Sequence, residues 1–219
     1  MTQDLGLETD ADNCAELLKR AADGDASARG QLLLQHRAKL ERMVAIRMDA
    51  RLAQRIDASD VVQEATIEAD RRLSEYLANP SMDFYLWLRW LTRERLIDLH
   101  REHLDTQKRD ARREQSVQID NDRSAAALAN VLVGELTSPS NALEREQNRT
   151  IVRAAISQLA PIDREILVLR HFEQMSTSQA AEVLNLSKSG AGKRHVMALR
   201  KLKGILEDTM PADASRIRG

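Results

Sequence analysis

The sequence predicts an all-α protein made of two helical domains joined by a flexible linker. Ala, Leu, Arg and Glu dominate its 219 residues, whereas aromatic residues make up only 3% and there are four prolines, a composition typical of helical proteins. Apolar residues recur at helical spacing on both sides of residues 105–142, where this pattern is lost. We therefore expect five segments in this order: an acidic N-terminal tail (1–14), a first domain (15–104), a linker (105–142), a second domain (143–206) and a C-terminal tail (207–219).

Charge divides the chain in a similar way. The formal net charge is -1, but residues 1–104 hold 15 basic and 19 acidic side chains, whereas residues 150–219 hold 11 basic and 7 acidic ones. This asymmetry indicates two partners of different character. Cys14 is the only cysteine, so an internal disulfide is excluded and a reducing cytoplasmic location is expected. No apolar run approaches the ~20 residues of a membrane span, so membrane insertion is not expected.

The first domain is expected to begin with a short helix from Cys14 to about Ala22, which an Asp-Gly-Asp turn ends. Asp25 or Ser27 can cap the next helix. His36 falls among the charged residues of that helix and is expected at the surface. A single helix is predicted to carry the following apolar residues: Leu32, Leu33, Leu40, Met43, Val44 and Ile46.

The sequence Asp57-Ala58-Ser59-Asp60 opens another helix, because an acidic first turn suits the helix dipole. Its predicted buried stripe consists of Val62, Ala65, Ala69, Leu73 and Tyr76. Its opposite side consists of Asp60, Gln63, Glu64, Ile67 and Glu68. An exposed Ile67 among acidic and amide groups favours a protein-docking face, and a plain solvated acidic face is the open alternative.

Five of the six aromatic residues lie in one stretch, and they are Tyr76, Phe84, Tyr85, Trp87 and Trp90. Asn79-Pro80-Ser81 forces a loop within this stretch, because proline bars helix continuation. An arginine-rich helix from about Asp83 to His103 follows. Aromatic rings beside a loop and cations suit single-stranded nucleic acid, in which each stacked base contributes ~1–3 kcal/mol. For Trp87 and Trp90 individually a core position is the better interpretation, so the loop residues are the stronger candidates.

The sequence contains no motif typical of a catalytic site or a metal site. His100 and His103 stand close to acidic residues, but no third ligand follows at a suitable spacing. The sequence also lacks a Gly-rich nucleotide-binding loop and a paired-carboxylate arrangement. We therefore expect no enzyme, no metal and no cofactor.

In the second half, a small helix is expected near residues 125–136, and Ser140 or Asn141 can cap the next one. Pro161 suits the start of a further helix. Ser176 and Gln179 have the spacing of a capping box, and Asn185 tolerates the left-handed conformation that ends a helix. The core under these helices is expected to include Ile166, Leu167, Val168, Leu169 and Phe172.

Ser187 can cap a long final helix that reaches Leu206. Between Ser187 and Gly204 there are six basic residues and no acidic one. A short helix, a tight turn and a basic helix describe a helix-turn-helix, whose second helix enters the DNA major groove. Gly190 and Gly192 weaken that helix by roughly 1 kcal/mol each if exposed.

The order of these parts resembles the extracytoplasmic-function (ECF) sigma factors, the promoter-specificity subunits of bacterial RNA polymerase. The resemblance covers roughly residues 15–104 and 143–206. In the first domain it rests on Asp57-Ala58-Ser59-Asp60-Val61-Val62-Gln63-Glu64, and on Trp87-Leu88 followed by Leu96-Ile97-Asp98 and Arg101. In the second it rests on Leu159-Ala160-Pro161-Ile162-Asp163-Arg164-Glu165-Ile166-Leu167, Ala180-Ala181-Glu182-Val183-Leu184 and Leu186-Ser187. Lys193-Arg194 with Ala198-Leu199 and Leu202 is similar to a planctomycete variant.

The resemblance implies a sigma region 2 at 15–104, a sigma region 4 at 143–206, and three sets of contacts. Core RNA polymerase would be bound by Asp60, Gln63, Glu64 and Ile67. The melted strand of the downstream promoter element would be bound by Asn79, Ser81, Met82, Phe84, Trp87 and Arg93. The duplex upstream element would be bound by Lys188, Ser189, Lys193, Arg194 and Met197. An anti-sigma protein is a further possible partner. The alternative is a stand-alone helix-turn-helix regulator with an N-terminal sensing domain.

Overall fold

A computed structural model describes residues 4–49, 51–104, 124–133 and 142–209, and these residues form helices and no β-strand. The predicted all-α class is thereby confirmed. The chain separates into two compact units, residues 1–111 and 112–219. The helices of the first unit are α1 (Asp4–Ala22), α2 (Ala26–Gln35), α3 (Arg37–Arg47), α4 (Ala58–Ala78) and α5 (Phe84–Leu104). Those of the second are α6 (124–133), α7 (Ala142–Ser157), α8 (Pro161–Leu167), α9 (Thr177–Val183) and α10 (Lys188–Thr209).

The N-terminal segment differs from the prediction. The expected loose tail is wrong from residue 4 onward, because α1 begins at Asp4 and continues through Cys14 to Ala22. Acidic residues fill the first half of α1, and Lys19 and Arg20 occupy its last turn. This order of charges complements the helix dipole at both ends, which explains why a segment with weak apolar periodicity is helical.

The helix predicted to span residues 32–46 is in fact two helices that meet at His36. Asp25 caps α2, because its carboxylate accepts hydrogen bonds from the amides of Ser27 and Ala28. His36 is half-buried, with its ring centroid 5.3 Å from that of Tyr85 and 6.0 Å from that of Phe84. The predicted surface position of His36 is therefore wrong. Packing against aromatic rings of α5, rather than a local Gly or Pro, accompanies the break.

Helix α4 is the central element of the first unit, because it contacts α1, α2, α3 and α5. Its predicted buried stripe is confirmed, with Leu73 and Ala69 fully buried. The Asp60 carboxylate accepts a hydrogen bond from the Asp57 amide at 3.3 Å and thereby helps to define the start of the helix. The largest fully buried side chains of this unit are Leu32, Leu40, Met43, Met48, Leu52 and Leu73.

In the second unit, Arg164 joins α7 to α8. Its guanidinium is 8% exposed and donates hydrogen bonds to the carbonyl oxygens of Ile156, Ser157 and Leu159 at 3.1 to 3.3 Å. These carbonyls lie at the C-terminal end of α7, where no intrahelical donor is available. A π-helical turn, Val168–Phe172, then leads from α8 towards α9.

The segment between the domains is only partly described. Helix α6 lies within the predicted linker and agrees with the small helix expected there, whereas residues 105–123 and 134–141 lie outside the described residues. Helix α10 runs to Thr209, three residues beyond the predicted end of the second domain. The rest of the predicted C-terminal tail, residues 210–219, also lies outside. Within the described part of the chain, no helix is both long and apolar enough to cross a membrane.

Candidate functional site

The acidic side of α4 is exposed, as predicted. Asp60, Gln63 and Glu64 are exposed, and Ile67 is 48% exposed. The Gln63 side chain makes no hydrogen bond to any described residue, whereas the Asp60 carboxylate accepts one at the start of the helix. We call these four residues the acidic face. An apolar side chain that remains half in solvent among polar groups is suited to contact another protein.

Glu64 is held by an ion-pair network that sequence reasoning missed. The Arg95 guanidinium donates to the Glu64 carboxylate at 2.5 Å and to the Glu102 carboxylate at 3.2 Å. Burial acts to lower the pKa of Arg95, but its bonds to the two carboxylates outweigh that effect and the pKa is raised. Arg95 thus stays charged and joins the acidic face of α4 to α5.

Beside the loop between α4 and α5 lies a cleft of about 330 Å³. Its walls bring together four of the residues predicted to bind the melted strand: Asn79, Ser81, Met82 and Trp87. Four further lining residues were not in the predicted set, and they are Arg72, Glu75, Tyr76 and Trp90. The Arg72 guanidinium lies 5.4 Å from the centre of the Trp90 ring, a cation–π contact. The cleft therefore combines an aromatic surface with charged and amide groups.

Two other predicted members of this set lie elsewhere. Phe84 is 2% exposed and packs against Tyr76 and Trp87 in the core, so its predicted contact with DNA is wrong for the folded conformation. Arg93 is exposed on α5 but does not line the cleft, and its guanidinium lies 3.9 Å from Glu94. The expected core position is confirmed for Trp87, at 6% exposed, and wrong for Trp90, at 40%.

His100 has a structural partner. Its imidazole Nε2 accepts a hydrogen bond from the Asp49 amide at 3.2 Å, and burial lowers its pKa. The ring therefore links α5 to the segment that follows α3.

The predicted helix-turn-helix is present in the second unit. Ser176 and Gln179 form a reciprocal capping box at the start of α9, with hydrogen bonds of 3.0 and 3.1 Å. Asn185 has φ 53°, and the amides of Asn185 and Leu186 donate to carbonyls of the last turn of α9. This is the Schellman arrangement that ends a helix sharply. Ser187 then caps α10 by accepting a hydrogen bond from the Gly190 amide at 3.0 Å.

Two of the three glycines of α10, Gly190 and Gly192, have side chains of neighbouring residues beside them. A Cβ on Gly190 would lie 3.0 Å from the Ser187 hydroxyl, and a Cβ on Gly192 would lie 3.9 Å from the Thr177 methyl group. Gly190 thus leaves room for the hydroxyl that caps the helix. Gly192 lies where α10 passes the first turn of α9.

One side of α10 is directed to solvent. Ser189, Lys193, Val196 and Arg200 follow the i, i+4, i+7, i+11 spacing of a single helix face, and all four are exposed. We call these residues the outward face. Two of them, Val196 and Arg200, were absent from the predicted set although helical spacing could have found them. Lys188 and Met197, which were predicted, are also exposed.

Arg194 does not belong to this face. Its guanidinium donates to the Asp163 carboxylate at 2.8 Å, and the Lys201 ammonium donates to the other oxygen at 2.5 Å. Asp163 is 1% exposed. Arg194 was predicted to contact the upstream element. In the structure α8 supplies a carboxylate that binds its guanidinium, and the contact with DNA stays a prediction.

A histidine pair joins α10 to the π-helical turn. The Nε2 atoms of His171 and His195 lie 2.9 Å apart. Burial, together with the neighbouring His171 and Arg170, lowers the pKa of His195 to about 4. Both rings are therefore used in packing between α10 and the π-helical turn.

Comparison with known proteins agrees with these two units. Residues 33–105 match the Sigma-70 region 2 family and residues 149–202 match the Sigma-70, region 4 family, which together cover more than half of the chain. The ECF RNA polymerase sigma-E factor of Escherichia coli (strain K12) is 26% identical over 171 residues, covering 77% of this chain and 81% of that protein. The chain belongs to the Sigma-70 sigma factors.

Other relatives of this sigma factor match over shorter segments. The RNA polymerase sigma-E factor of Streptomyces antibioticus is 38% identical over 64 residues, which is 29% of this chain and 36% of that protein. The sigma factor thus spans about a third of the length of the Streptomyces relatives it matches. Among solved structures, that of CnrH in complex with the cytosolic domain of CnrY is 23% identical with a TM-score of 0.49, covering 90% of this chain and 99% of that chain.

Proposed function

We propose that this protein is a non-enzymatic initiation subunit that binds core RNA polymerase in the bacterial cytoplasm and directs it to promoters. The observation that carries the proposal is the occurrence of regions 2 and 4, in that order, on two helical units, with an acidic excess in residues 1–104 and a basic excess in residues 150–219. Region 2 would reside in residues 15–104 and region 4 in residues 143–206. The motif Lys193-Arg194 with Ala198-Leu199 and Leu202 supports a planctomycete-like variant.

Polymerase would bind the acidic face of α4. The side chains of Gln63 and Ile67 are exposed, and among the described residues neither side chain has a hydrogen-bond or ion-pair partner, so both are available to another protein. Arg95 fixes the orientation of the Glu64 carboxylate. A preoriented carboxylate loses less conformational entropy on binding than a free one.

The cleft beside α4 would hold an unpaired base of the downstream promoter element. Trp90 supplies an exposed ring for stacking, and Asn79 and Ser81 supply donors and acceptors for a base edge. Extruding a base from the duplex costs a few kcal/mol, which contacts in the cleft offset. Trp87 forms the floor of the cleft because its ring is mostly buried.

The outward face of α10 would enter the major groove of the upstream element. Lys193 and Arg200 bring positive charge to the phosphates or to guanine edges, and Ser189 can bond either kind of edge. Val196 offers an apolar contact of the kind that a thymine methyl group makes. The four residues are exposed on one face, so they can reach the groove together.

A pull-down with purified core polymerase tests the proposal against a stand-alone helix-turn-helix regulator. We expect the wild-type chain to bind core enzyme, and the double variant Asp60→Arg, Gln63→Ala to lose binding. Asp23→Arg is the matched control, since Asp23 is exposed in the turn before α2 and its side chain makes no ion pair. A stand-alone regulator would bind no core enzyme in any form. An anti-sigma protein would compete with core enzyme in the same assay.

A further inference from the structure

Asp163 is one of the buried charged residues of region 4. It lies in the first turn of α8 and is 1% exposed. Both of its oxygens are used, one by Arg194 at 2.8 Å and the other by Lys201 at 2.5 Å. Burial acts to raise the pKa of Asp163, but the hydrogen bonds from Lys201 and Arg194 outweigh it and the pKa is lowered. The carboxylate is therefore ionised at neutral pH.

Arg194 and Lys201 stand seven residues apart, so they lie along the same edge of α10. This edge adjoins the buried Ala191, Ala198 and Leu202, whereas Lys193 and Arg200 lie on the outward face. Arg194 and Lys201 thus differ from Lys193 and Arg200 in their partner and not in being buried. Their side chains are 37% and 50% exposed, but the charged ends of both bind Asp163 on α8.

We propose that Asp163 is a positioning residue that keeps Arg194 and Lys201 off the DNA phosphates, so that duplex binding by α10 depends on its outward face. This inference rests on the proposed function of region 4. Each phosphate that a protein neutralises changes the slope of log K against log salt by roughly -0.9. Two cations held by Asp163 add nothing to that slope, although a count of charges in α10 includes them.

The bonds of Arg194 and Lys201 to Asp163, which we call the Asp163 clamp, also constrain the position of α10. Two bonds to a single carboxylate, about two helical turns apart along α10, fix both the rotation of α10 and its position along α8. The outward face is thereby presented at one angle. If α10 could rotate about its axis, Arg194 and Lys201 could turn towards the groove and the outward face would turn away from it.

Salt titrations of the full chain on a random-sequence duplex test the inference. The key comparison is between two double variants that each remove two positive charges: Arg194→Gln, Lys201→Gln and Lys193→Gln, Arg200→Gln. Glutamine keeps an amide donor for Asp163, which protects the fold, and far-UV circular dichroism checks this. We expect the Lys193, Arg200 variant to reduce the slope by about 2, and the Arg194, Lys201 variant to leave it unchanged.

The variant Asp163→Asn supplies a second test. It should steepen the slope by up to about 2, because both cations become free, and adding Arg194→Gln and Lys201→Gln should restore the wild-type slope. Glu182→Gln changes the net charge equally at an exposed site on α9 and should have no such effect. If Asp163→Asn fails to fold, the comparison of the two double variants still tests whether Arg194 and Lys201 contribute to the salt dependence of DNA binding. Equal slopes for those two would overturn this inference alone, whereas absence of any duplex binding by the wild-type chain would overturn the proposed function as well.

Discussion

The hydroxyl of Tyr76 donates a 2.8 Å hydrogen bond to the carbonyl oxygen of Met82. Tyr76 lies at the end of α4, and Met82 lies in the loop that forms one wall of the cleft. Burial, with a smaller effect of the Asp83 charge, raises the pKa of Tyr76 to about 12. The hydroxyl therefore remains a donor at any physiological pH, and it fixes the loop against the helix.

Replacing Tyr76 by Phe should weaken single-strand binding with little effect on the fold. The ring remains stacked on Trp87, where the centroids are 4.6 Å apart, and only a hydrogen bond of about 1 kcal/mol is lost. Fluorescence anisotropy with a single-stranded downstream-element oligonucleotide measures the effect. Duplex binding by α10 is the internal control, and an equal loss on both DNAs would contradict the assignment of the loop to the melted strand.

The two tryptophans of α5 should behave differently. Trp87→Ala removes a buried ring and should lower the free energy of unfolding by about 3–5 kcal/mol. Trp90→Ala should leave stability within about 1 kcal/mol, because the ring is 40% exposed. It should nevertheless weaken single-strand binding by about fivefold to a hundredfold, the equivalent of one stacked base. Trp90→Phe keeps a stacking surface and should recover most of the binding. Unchanged binding in Trp90→Ala would remove this ring from the proposed site.

Gly190 and Ser187 should be coupled. Gly190→Ala gains about 1 kcal/mol of helix propensity. However, the new methyl group crowds the Ser187 hydroxyl and weakens its capping hydrogen bond, which contributes a similar free energy. We expect Gly190→Ala alone to change stability by less than about 0.5 kcal/mol, and to stabilise by about 1 kcal/mol in a Ser187→Ala background. Thermal unfolding of the four proteins of this cycle gives the coupling energy. Additive effects would show that the hydroxyl and the methyl group do not compete.

The stability of region 4 should fall as the pH is lowered from about 6.5 to about 4. The pKa of His195 is about 4 in the folded chain because of burial and its neighbours His171 and Arg170, whereas an unfolded histidine titrates near 6.5. Between these two pH values His195 is protonated in the unfolded state and neutral in the folded state, so lowering the pH favours unfolding.

Amide hydrogen exchange of α10 is the suitable measurement, since both tryptophans lie in α5 and report on the other unit. His195→Gln should make the pH profile flatter between 6.5 and 4. A profile unchanged by this substitution would mean that another group causes the loss of stability. At still lower pH the ion pairs of Asp163 with Arg194 and Lys201 are lost as well. The pKa of Asp163 is lowered in the folded chain, so its stabilising contribution is lost when the pH falls far enough to protonate the carboxylate.

Local signals predicted the local structure well. The capping box of Ser176 and Gln179, the left-handed Asn185 and the cap at Ser187 each depend on neighbours within four residues, and all three are confirmed. The buried stripe of α4 also followed from spacing. These features were predictable because the interactions that determine them are encoded within one helical turn.

Features that depend on distant residues were missed. The break at His36 accompanies contacts with rings on α5, and the orientation of Arg194 depends on a carboxylate on α8. A count of charges cannot distinguish cations that face solvent from cations that bind a buried acid. Helical spacing offered a partial signal, because Arg194 lies three residues after the buried Ala191 and four before the buried Ala198.

Helix α4 carries the acidic face in its first half and the wall of the cleft in its second half. Asp60 and Arg72 are both on this single uninterrupted helix, about 18 Å apart along its axis. The helix therefore sets the distance between the face proposed to bind polymerase and the cleft proposed to bind an unpaired base. One residue inserted between the two sites would lengthen it by only about 1.5 Å but turn the cleft by about 100° away from the promoter. Natural variation in this stretch should accordingly preserve length more strictly than identity.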